Sequence, residues 1–194
     1  MTLAVKKHDA VLIVDVQKDF LPGGSLAVSH GDEVVPVLNR YLALARRKRL
    51  PVFASRDWHP ARHCSFKARG GPWPEHCVAG TPGAALAPGL ELSADAVIIS
   101  KGAQEQADAY SAFEGTDLAL RLRAIGIKRL LIGGLATDYC VRATVRDALA
   151  EGFDVLLLQD AIRAVNVKPG DGERAEREMQ DAGATRVQIK DFAS

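Results

Sequence analysis

Three residues that could carry out covalent catalysis lie at the ends of apolar runs in the sequence. Asp15 and Lys101 each come directly after such a run, and Cys140 follows the run 130–132 after a glycine-rich turn. A nucleophilic thiol needs a base to remove its proton and an acid to protonate a leaving amine, and one partly desolvated aspartate can do both. A lysine ammonium would favour the thiolate and hold the carboxylate in place. These residue types predict nucleophilic catalysis by Cys140.

The position of Cys140 also favours a reactive thiol. It stands beside the helix-like stretch 141–149, so we expect it in the first turn of a helix. Unpaired backbone N–H groups and the positive end of the helix dipole would stabilise a thiolate there. Considered alone, Cys140 is better explained as a small hydrophobic residue packed in the core. Asp15 and Lys101, considered alone, are better explained as a buried ion pair without a catalytic role. Taken jointly, the three residues favour catalysis.

A second cluster could bind a metal ion. Asp57 and His59 are two residues apart, and in an extended segment such residues point the same way and could share one cation. His76 would complete a set of one carboxylate and two imidazoles, and His63 is a further candidate for a fourth ligand. Such a set leaves coordination positions open and suits zinc, iron, manganese or cobalt. Spacing alone is a weak signal, because histidines in loops often face solvent.

Short apolar runs alternate with helical patterns along most of the chain. The apolar runs predict buried strands at 10–14, 52–54, 96–100, 130–133, 155–158 and 187–189. Helical spacing and terminal glycines predict helices at 32–48, 116–125, 138–151 and 173–182. The alternation predicts a three-layer α/β/α fold with a mainly parallel, Rossmann-like six-stranded sheet, in a single domain over 1–194. Ligands bind such sheets beyond the carboxyl ends of the strands, which is where the candidate catalytic residues stand.

One segment interrupts this alternation. The stretch 60–93 is rich in proline and glycine and shows no periodicity. Long irregular insertions in small domains are uncommon, and they are usually functional or disordered. Because this one contains histidines and aromatic residues, we expect it to contribute to a binding site.

Composition narrows the choice of partner and compartment. The chain has 194 residues and a formal net charge of +1, with no long block of either sign. These values argue against a nucleic-acid or membrane partner and favour a small molecule. Its three cysteines do not form a disulfide pattern, and the first apolar run is too short for a signal peptide or a membrane span. We therefore expect a cytoplasmic protein. The sequence leaves open whether it forms a homo-oligomer.

The motifs together resemble those of the nicotinamidases, a family within the isochorismatase-like cysteine hydrolase superfamily. The resemblance spans most of the chain and is specific because the motifs occur in order. They are Val14-Asp15-Val16-Gln17-Lys18-Asp19-Phe20, Pro22-Gly23-Gly24-Ser25-Leu26, Arg56-Asp57-Trp58-His59-Pro60, Trp73-Pro74-Glu75-His76-Cys77, Lys101-Gly102, Tyr110-Ser111-Ala112-Phe113 and Gly134-Leu135-Ala136-Thr137-Asp138-Tyr139-Cys140-Val141.

The resemblance implies roles for these residues. Asp15, Lys101 and Cys140 would form a catalytic triad. Asp57, His59 and His76 would hold one divalent metal, zinc in the first place with iron or manganese as alternatives, while the short spacer before His63 sets that residue apart from relatives. The substrate ring would lie among Phe20, Leu26, Trp73 and Tyr110. Backbone N–H groups of Ala136 and Cys140 would form the oxyanion hole, after a cis Leu135–Ala136 peptide, and Tyr139 would tune access.

The activity implied is hydrolysis of nicotinamide to nicotinate and ammonia through a cysteine thioester, extending to pyrazinamide. A carbamoyl-amide hydrolase and an isochorismatase are alternatives, but the first generally lacks the metal cluster and the second the cysteine. A metallohydrolase that uses metal-bound water is a third alternative. A non-catalytic binding or redox module is a fourth, although neither a Gly-x-Gly-x-x-Gly motif after the first strand nor a Cys-x-x-Cys pair is present.

Overall fold

Six parallel strands form the central sheet of residues 3–192, which are the residues that the computed structural model describes. The strands are β1 (Asp9–Val14), β2 (Val52–Asp57), β3 (Val97–Lys101), β4 (Arg129–Leu135), β5 (Asp154–Arg163) and β6 (Thr185–Val187). Their order across the sheet is β3-β2-β1-β4-β5-β6. The predicted α/β fold with a Rossmann-like sheet is therefore confirmed, and every strand pair is parallel.

Helices cover both faces of this sheet. They are α1 (Val34–Lys48), α2 (Leu118–Ala124), α3 (Arg142–Ala150) and α4 (Asp171–Asp181). Because successive strand residues point to opposite faces, Ile13 of β1 packs with Leu38 of α1, whereas Leu12 packs on the other side with Val145 of α3. Within residues 3–192, no helix has both the length and the apolar character needed to cross a membrane.

The turn after β4 differs from the prediction. A single helix was expected over 138–151, but residues Thr137–Val141 form a wider π-helical turn and α3 begins only at Arg142. The Val141 N–H donates to the carbonyl of Ala136, five residues earlier, at 3.1 Å. This longer hydrogen-bonded ring widens the turn, so Cys140 lies just before α3 and not in its first turn.

The irregular stretch 60–93 lies along the carboxyl edge of the sheet. It contains one short 3-10 turn, Lys67–Arg69, and it is held by isolated bridges such as Phe66 to Trp73 and Leu86 to Gln17. These contacts order the stretch without adding a strand to the sheet. As expected, it carries aromatic and histidine side chains to the ends of the strands.

The two central strands approach each other closely where the chain order reverses. Gly134, at the end of β4, has a φ of +128°, and a side chain there would overlap the backbone of Val14 in β1. Glycine alone allows both this backbone conformation and this distance. β1 and β4 therefore end side by side, and the residues that follow them enter the same crevice.

A buried ion pair joins the same two strands at the opposite edge of the sheet. The Arg129 guanidinium donates to both carboxylate oxygens of Asp9, at 2.9 and 2.8 Å, and these residues are register partners in β4 and β1. Asp9 also accepts the backbone N–H of Lys6 at 2.7 Å. This network supports the fold at a distance from the carboxyl edge.

Removing one partner of this pair tests that role. We expect Asp9→Ala to lower the free energy of unfolding by about 3 kcal/mol or more, because it leaves the Arg129 charge buried and unpaired. Denaturant unfolding would measure the loss. The matched control is Asp117→Ala, which removes an exposed aspartate paired with Arg121 at 2.8 Å and should change stability far less. Equal stability of the two variants would contradict this assignment.

Candidate active site

The three candidate catalytic side chains meet at the carboxyl edge of the sheet. Asp15 follows β1, Lys101 ends β3 and Cys140 lies in the turn after β4. The Lys101 ammonium nitrogen lies 2.9 Å from Asp15 Oδ2 and 3.6 Å from Cys140 Sγ. All three residues are buried. The fold thus brings together side chains that are up to 125 positions apart, from 15 to 140.

The Lys101 ammonium has two further partners that the sequence did not indicate. It lies 2.5 Å from Asp57 Oδ1 and donates to the carbonyl oxygen of Ala109 at 3.0 Å. Burial alone would lower the pKa of Lys101, but the Asp15 and Asp57 carboxylates raise it well above its usual value. The ammonium therefore stays charged and links the candidate triad to Asp57.

Asp15 is placed to exchange a proton with Cys140. The Ser55 hydroxyl donates to Asp15 Oδ1 at 2.6 Å, while Oδ2 faces Lys101 as an ion pair without a directed hydrogen bond from residues 3–192. Burial raises the pKa of the Asp15 carboxyl, although the Lys101 charge opposes this effect. An oxygen of Asp15 lies within 4.8 Å of the Cys140 sulfur. A carboxylate with a raised pKa can accept the thiol proton and later return it.

The environment of Cys140 differs from the acidic thiol expected at a helix start. Burial raises the pKa of the Cys140 thiol well above its usual value; Lys101 lowers it, and the Asp15 and Asp57 carboxylates raise it again. Desolvation at this buried position thus opposes the stabilisation of the thiolate that a helix start would provide. The geometry therefore favours a protonated thiol that ionises by transfer to Asp15.

Asp57, His59 and His76 form a compact set of possible metal donors. Each offers a ligand atom within 4.8 Å of the others. His59 Nδ1 lies 2.9 Å from the Gly102 carbonyl oxygen, and His76 Nδ1 lies 2.8 Å from that of Pro74. A carbonyl can only accept, so each ring donates from Nδ1 and keeps an Nε2 lone pair for a metal. The set fits one divalent ion with open coordination positions.

The charge of Asp57 also suits a metal ligand. Burial alone would raise its pKa, but Lys101 and His59 together hold the pKa of the Asp57 carboxyl below its usual range. Oδ1 faces Lys101, whereas Oδ2 lies 3.6 Å from His59 Nε2. One carboxylate thus belongs both to the catalytic cluster and to the donor set.

The structure does not bring His63 into the donor set. Its ring stacks on the ring of His59, with centroids 4.1 Å apart. Its Nδ1 lies 2.7 Å from the Ser65 hydroxyl oxygen, and its Nε2 lies 3.1 Å from the carbonyl oxygen of Ala107. Both ring nitrogens are therefore engaged within the protein, and in this arrangement His63 supports the orientation of His59.

A cavity lies between the catalytic cluster and the donor set. All four residues expected around a substrate ring line it, and the full set is Phe20, Leu26, Val28, Asp57, His59, Trp73, His76, Asp108, Ala109, Tyr110, Ala136, Tyr139, Cys140 and Val165. The Trp73 indole N–H donates to the Tyr110 hydroxyl at 3.0 Å, which fixes two of the aromatic walls. Mostly apolar walls with a few convergent polar groups are typical of a small-molecule site.

The backbone near the sulfur also has the expected form. The Leu135–Ala136 peptide is cis. Ala136 lines the cavity beside Cys140, and its carbonyl oxygen accepts the N–H groups of Tyr139 and Val141, each at 3.1 Å. Ala136 and Cys140 thus both line the cavity, and the oxyanion hole expected from their backbone N–H groups stays a prediction.

Gln17 supports the site, although sequence reasoning assigned it no role. Its buried amide donates to the carbonyl oxygens of Asp57 and Ala84, at 2.8 and 3.0 Å, and accepts the Asp57 N–H at 2.7 Å. These bonds join the end of β2 to the irregular stretch. The only signal in the sequence was the place of Gln17, two residues after Asp15.

Asp138 is a second residue whose role was missed. Its buried carboxylate accepts the backbone N–H groups of Val165 and Asn166, at 2.9 and 2.8 Å. It thereby ties the turn that carries Cys140 to the segment after β5, which supplies Val165 to the cavity wall. Its closeness to Cys140 in sequence was a signal, but its partners lie 27 and 28 positions away.

Comparisons with known proteins identify a family and several similar proteins. A family model described as "Isochorismatase domain" matches residues 9–191. The nicotinamidase of Escherichia coli (strain K12) is 41% identical, over 94% of this chain and 96% of that protein. The crystal structure of pyrazinamidase of Pyrococcus horikoshii in complex with zinc is 51% identical with a TM-score of 0.90, covering 93% of this chain and 99% of that one. That of PnC1 from L. infantum in complex with nicotinate is 36% identical with a TM-score of 0.90, covering 100% and 99%.

Gly102 offers a test of the donor set. It has a φ of +59°, and a Cβ there would lie 2.6 Å from His59 Cε1 and 2.7 Å from His59 Nδ1. Gly102→Ala should displace the imidazole and weaken metal binding by roughly 10- to 100-fold. Metal titration with zinc and metal analysis of the purified protein would measure this.

Gly115→Ala is the matched control for that experiment. Gly115 has a similar φ of +67°, but nothing lies within 4 Å of the position of its Cβ. Both variants carry the same type of backbone strain, and only the variant at 102 has the clash with His59. Wild-type zinc affinity in Gly102→Ala would contradict the role given to His59.

Proposed function

The chain belongs to the isochorismatase-domain family, and from that premise we propose that it is an amidase that hydrolyses nicotinamide to nicotinate and ammonia. One observation carries this conclusion most directly. A buried thiol, Cys140, with Asp15 and Lys101 beside it, shares one apolar cavity with three donors suited to a metal ion. Relatives that are named nicotinamidases match almost the whole chain, and a similar structure is described as a complex with nicotinate.

The thiol begins the reaction in this proposal. Asp15 removes the proton from Cys140, and the sulfur attacks the carboxamide carbon to form a tetrahedral adduct. The C–N bond then breaks, the nitrogen takes the proton held by Asp15, and ammonia leaves a thioester on Cys140. Water attacks the thioester as Asp15 takes one of its protons, the S–C bond breaks, and the proton on Asp15 returns to the sulfur. The nicotinic acid formed loses its remaining proton to solvent and leaves as nicotinate. Lys101 holds Asp15 beside the sulfur throughout.

The oxyanion of each adduct needs hydrogen-bond donors. We assign this role to the backbone N–H groups of Ala136 and Cys140, two residues that line the cavity. A well-placed donor of this kind contributes about 3 kcal/mol of transition-state stabilisation.

The cavity suits a flat heteroaromatic ring. Phe20, Leu26, Trp73 and Tyr110 would enclose it, and Asp57, His59 and His76 would hold a divalent metal. We assign that metal as zinc, which when bound supplies a Lewis-acid position for the ring nitrogen. His63 is left out of the ligand set because both its ring nitrogens have partners in the protein. Pyrazinamide, a related ring with the same amide, is expected as a second substrate.

The remaining assignments rest on the sequence. We propose that the chain is a single hydrolase domain, and that it works in a reducing compartment such as the cytoplasm. Its three cysteines are free in the structure, and Cys140 must stay reduced to act as a nucleophile.

Substitution of the nucleophile tests the proposed chemistry. We expect Cys140→Ala to lower ammonia release from nicotinamide by at least roughly a thousandfold while bound metal is retained, because the sulfur forms the covalent intermediate. Ammonia assay and metal analysis of the same preparations would show both effects. Cys64→Ala, which changes a half-buried cysteine outside the cavity, should keep wild-type turnover. Full activity in Cys140→Ala would rule out the thioester route.

Alkylation and chelation separate this route from hydrolysis by metal-bound water. In a Cys64→Ala background, we expect iodoacetamide to remove activity in proportion to labelling of Cys140, because that sulfur lines the cavity whereas Cys77 is fully buried. Mass spectrometry would locate the label, and nicotinate should slow the labelling. Activity that survives complete labelling of Cys140 but is lost to a chelator would favour metal-bound water.

A further inference from the structure

Asp108 is a charged residue of the cavity wall to which neither the proposed mechanism nor the metal cluster gives a role. It is half-buried and follows β3 in the segment 102–110. The other charged or titratable groups around the cavity belong to the catalytic cluster, the donor set or the tyrosine walls. Among the described residues that line the cavity, Asp57 and Asp108 are the two carboxylates, and Asp57 already belongs to the donor set.

The backbone around Asp108 is held firmly against the site. The next residue, Ala109, has its carbonyl oxygen 3.0 Å from Lys101 Nζ, and the following Tyr110 accepts the Trp73 N–H at 3.0 Å. Asp108 Oδ1 accepts the Ala109 N–H at 2.9 Å, which restricts the side chain. Within residues 3–192, Asp108 forms no ion pair with a lysine, arginine or histidine at 4.0 Å or less.

The charge of Asp108 therefore acts on the cavity without a neutralising partner. Burial raises the pKa of Tyr110, the Trp73 hydrogen bond opposes this, and the Asp108 carboxylate raises it further. The wall that would face a substrate ring thus experiences a negative charge, which partial exposure to solvent weakens but does not remove.

The proposed reaction converts a neutral amide into an anion inside this cavity. Lys101, and the divalent ion held by the donor set, would both attract a newly formed carboxylate and slow its departure. We propose that Asp108 is a charge-selectivity residue, which disfavours anionic ring carboxylates and so promotes release of the product. This inference rests on the proposed function, because it concerns the same cavity and the same product.

The variant Asp108→Asn tests this inference because it removes the charge and keeps the oxygen that accepts the Ala109 N–H. With metal-loaded enzyme, we expect nicotinate to bind and inhibit roughly threefold to tenfold more tightly than in wild type, as expected for one partly screened charge. The KM for neutral nicotinamide should change less than about twofold. The difference in nicotinate affinity should shrink as the salt concentration rises from about 0.05 M to about 0.5 M.

Glu105→Gln is the matched control. It lies in the same segment and alters the net charge equally, but its carboxylate pairs at the surface with Arg62 and Arg69, at 4.0 and 3.9 Å. It should leave nicotinate affinity unchanged. An equal gain in Glu105→Gln, or none in Asp108→Asn, would overturn the inference. If Asp108→Asn changed the affinities for nicotinamide and nicotinate by the same factor, the inference would also be overturned. Such a result would indicate that Asp108 acts on the shape of the cavity and not through its charge.

Binding measured without turnover keeps this test separate from the proposed function. In a Cys140→Ala background, calorimetry can compare nicotinate with nicotinamide in the presence and absence of the change at Asp108. If wild-type protein releases no ammonia from nicotinamide, the proposed function fails. If it does release ammonia but the acid-to-amide affinity ratio is the same with Asp108 and Asn at this position, only the inference about Asp108 fails.

Discussion

The buried ammonium of Lys101 is the interaction on which the geometry of the site depends. Its nitrogen lies 2.5 Å from Asp57 Oδ1, 2.9 Å from Asp15 Oδ2 and 3.6 Å from Cys140 Sγ. Removing an ion from water costs several kcal/mol, so the ammonium can be buried only if charges of opposite sign surround it. Lys101 thus requires two carboxylates at the ends of β1 and β2, and these carboxylates require it in turn.

This mutual requirement connects the two halves of the site. Asp57 offers one oxygen to Lys101 and the other to the metal donor set, so the catalytic cluster and the metal cluster have a common member. The side-chain amide of Gln17 fixes the position of Asp57, because it accepts the Asp57 N–H and donates to the Asp57 carbonyl oxygen. A change in the charge or place of Asp57 would therefore affect nucleophile and metal together, whereas His59 and His76 are further from the thiol chemistry.

The sheet and the irregular segments contribute different parts of the site. Strand ends position the ionisable groups, because parallel strands bring distant residues to one edge with little freedom. The stretch 60–93 and the segments after β3 and β5 supply the cavity walls, including Trp73, Tyr110 and Val165. Single polar contacts anchor these segments, such as the Asp138 carboxylate that holds the Val165 N–H. The catalytic residues thus lie at the ends of strands, whereas most residues that would contact a ligand lie on loops anchored to the sheet.

The sequence by itself determined the fold class, the strand-end positions of Asp15, Lys101 and Cys140, and the donor types at Asp57, His59 and His76. It could do so because apolar runs and short-range spacing are local properties. Tertiary structure decided which carboxylates surround the Lys101 ammonium and that His63 stacks on His59 with both its nitrogens engaged. It also decided that Cys140 is buried, which raises the pKa of its thiol. Those outcomes depend on distances between residues far apart in the chain and on how completely water is excluded. Neither quantity exists until the strands have packed side by side.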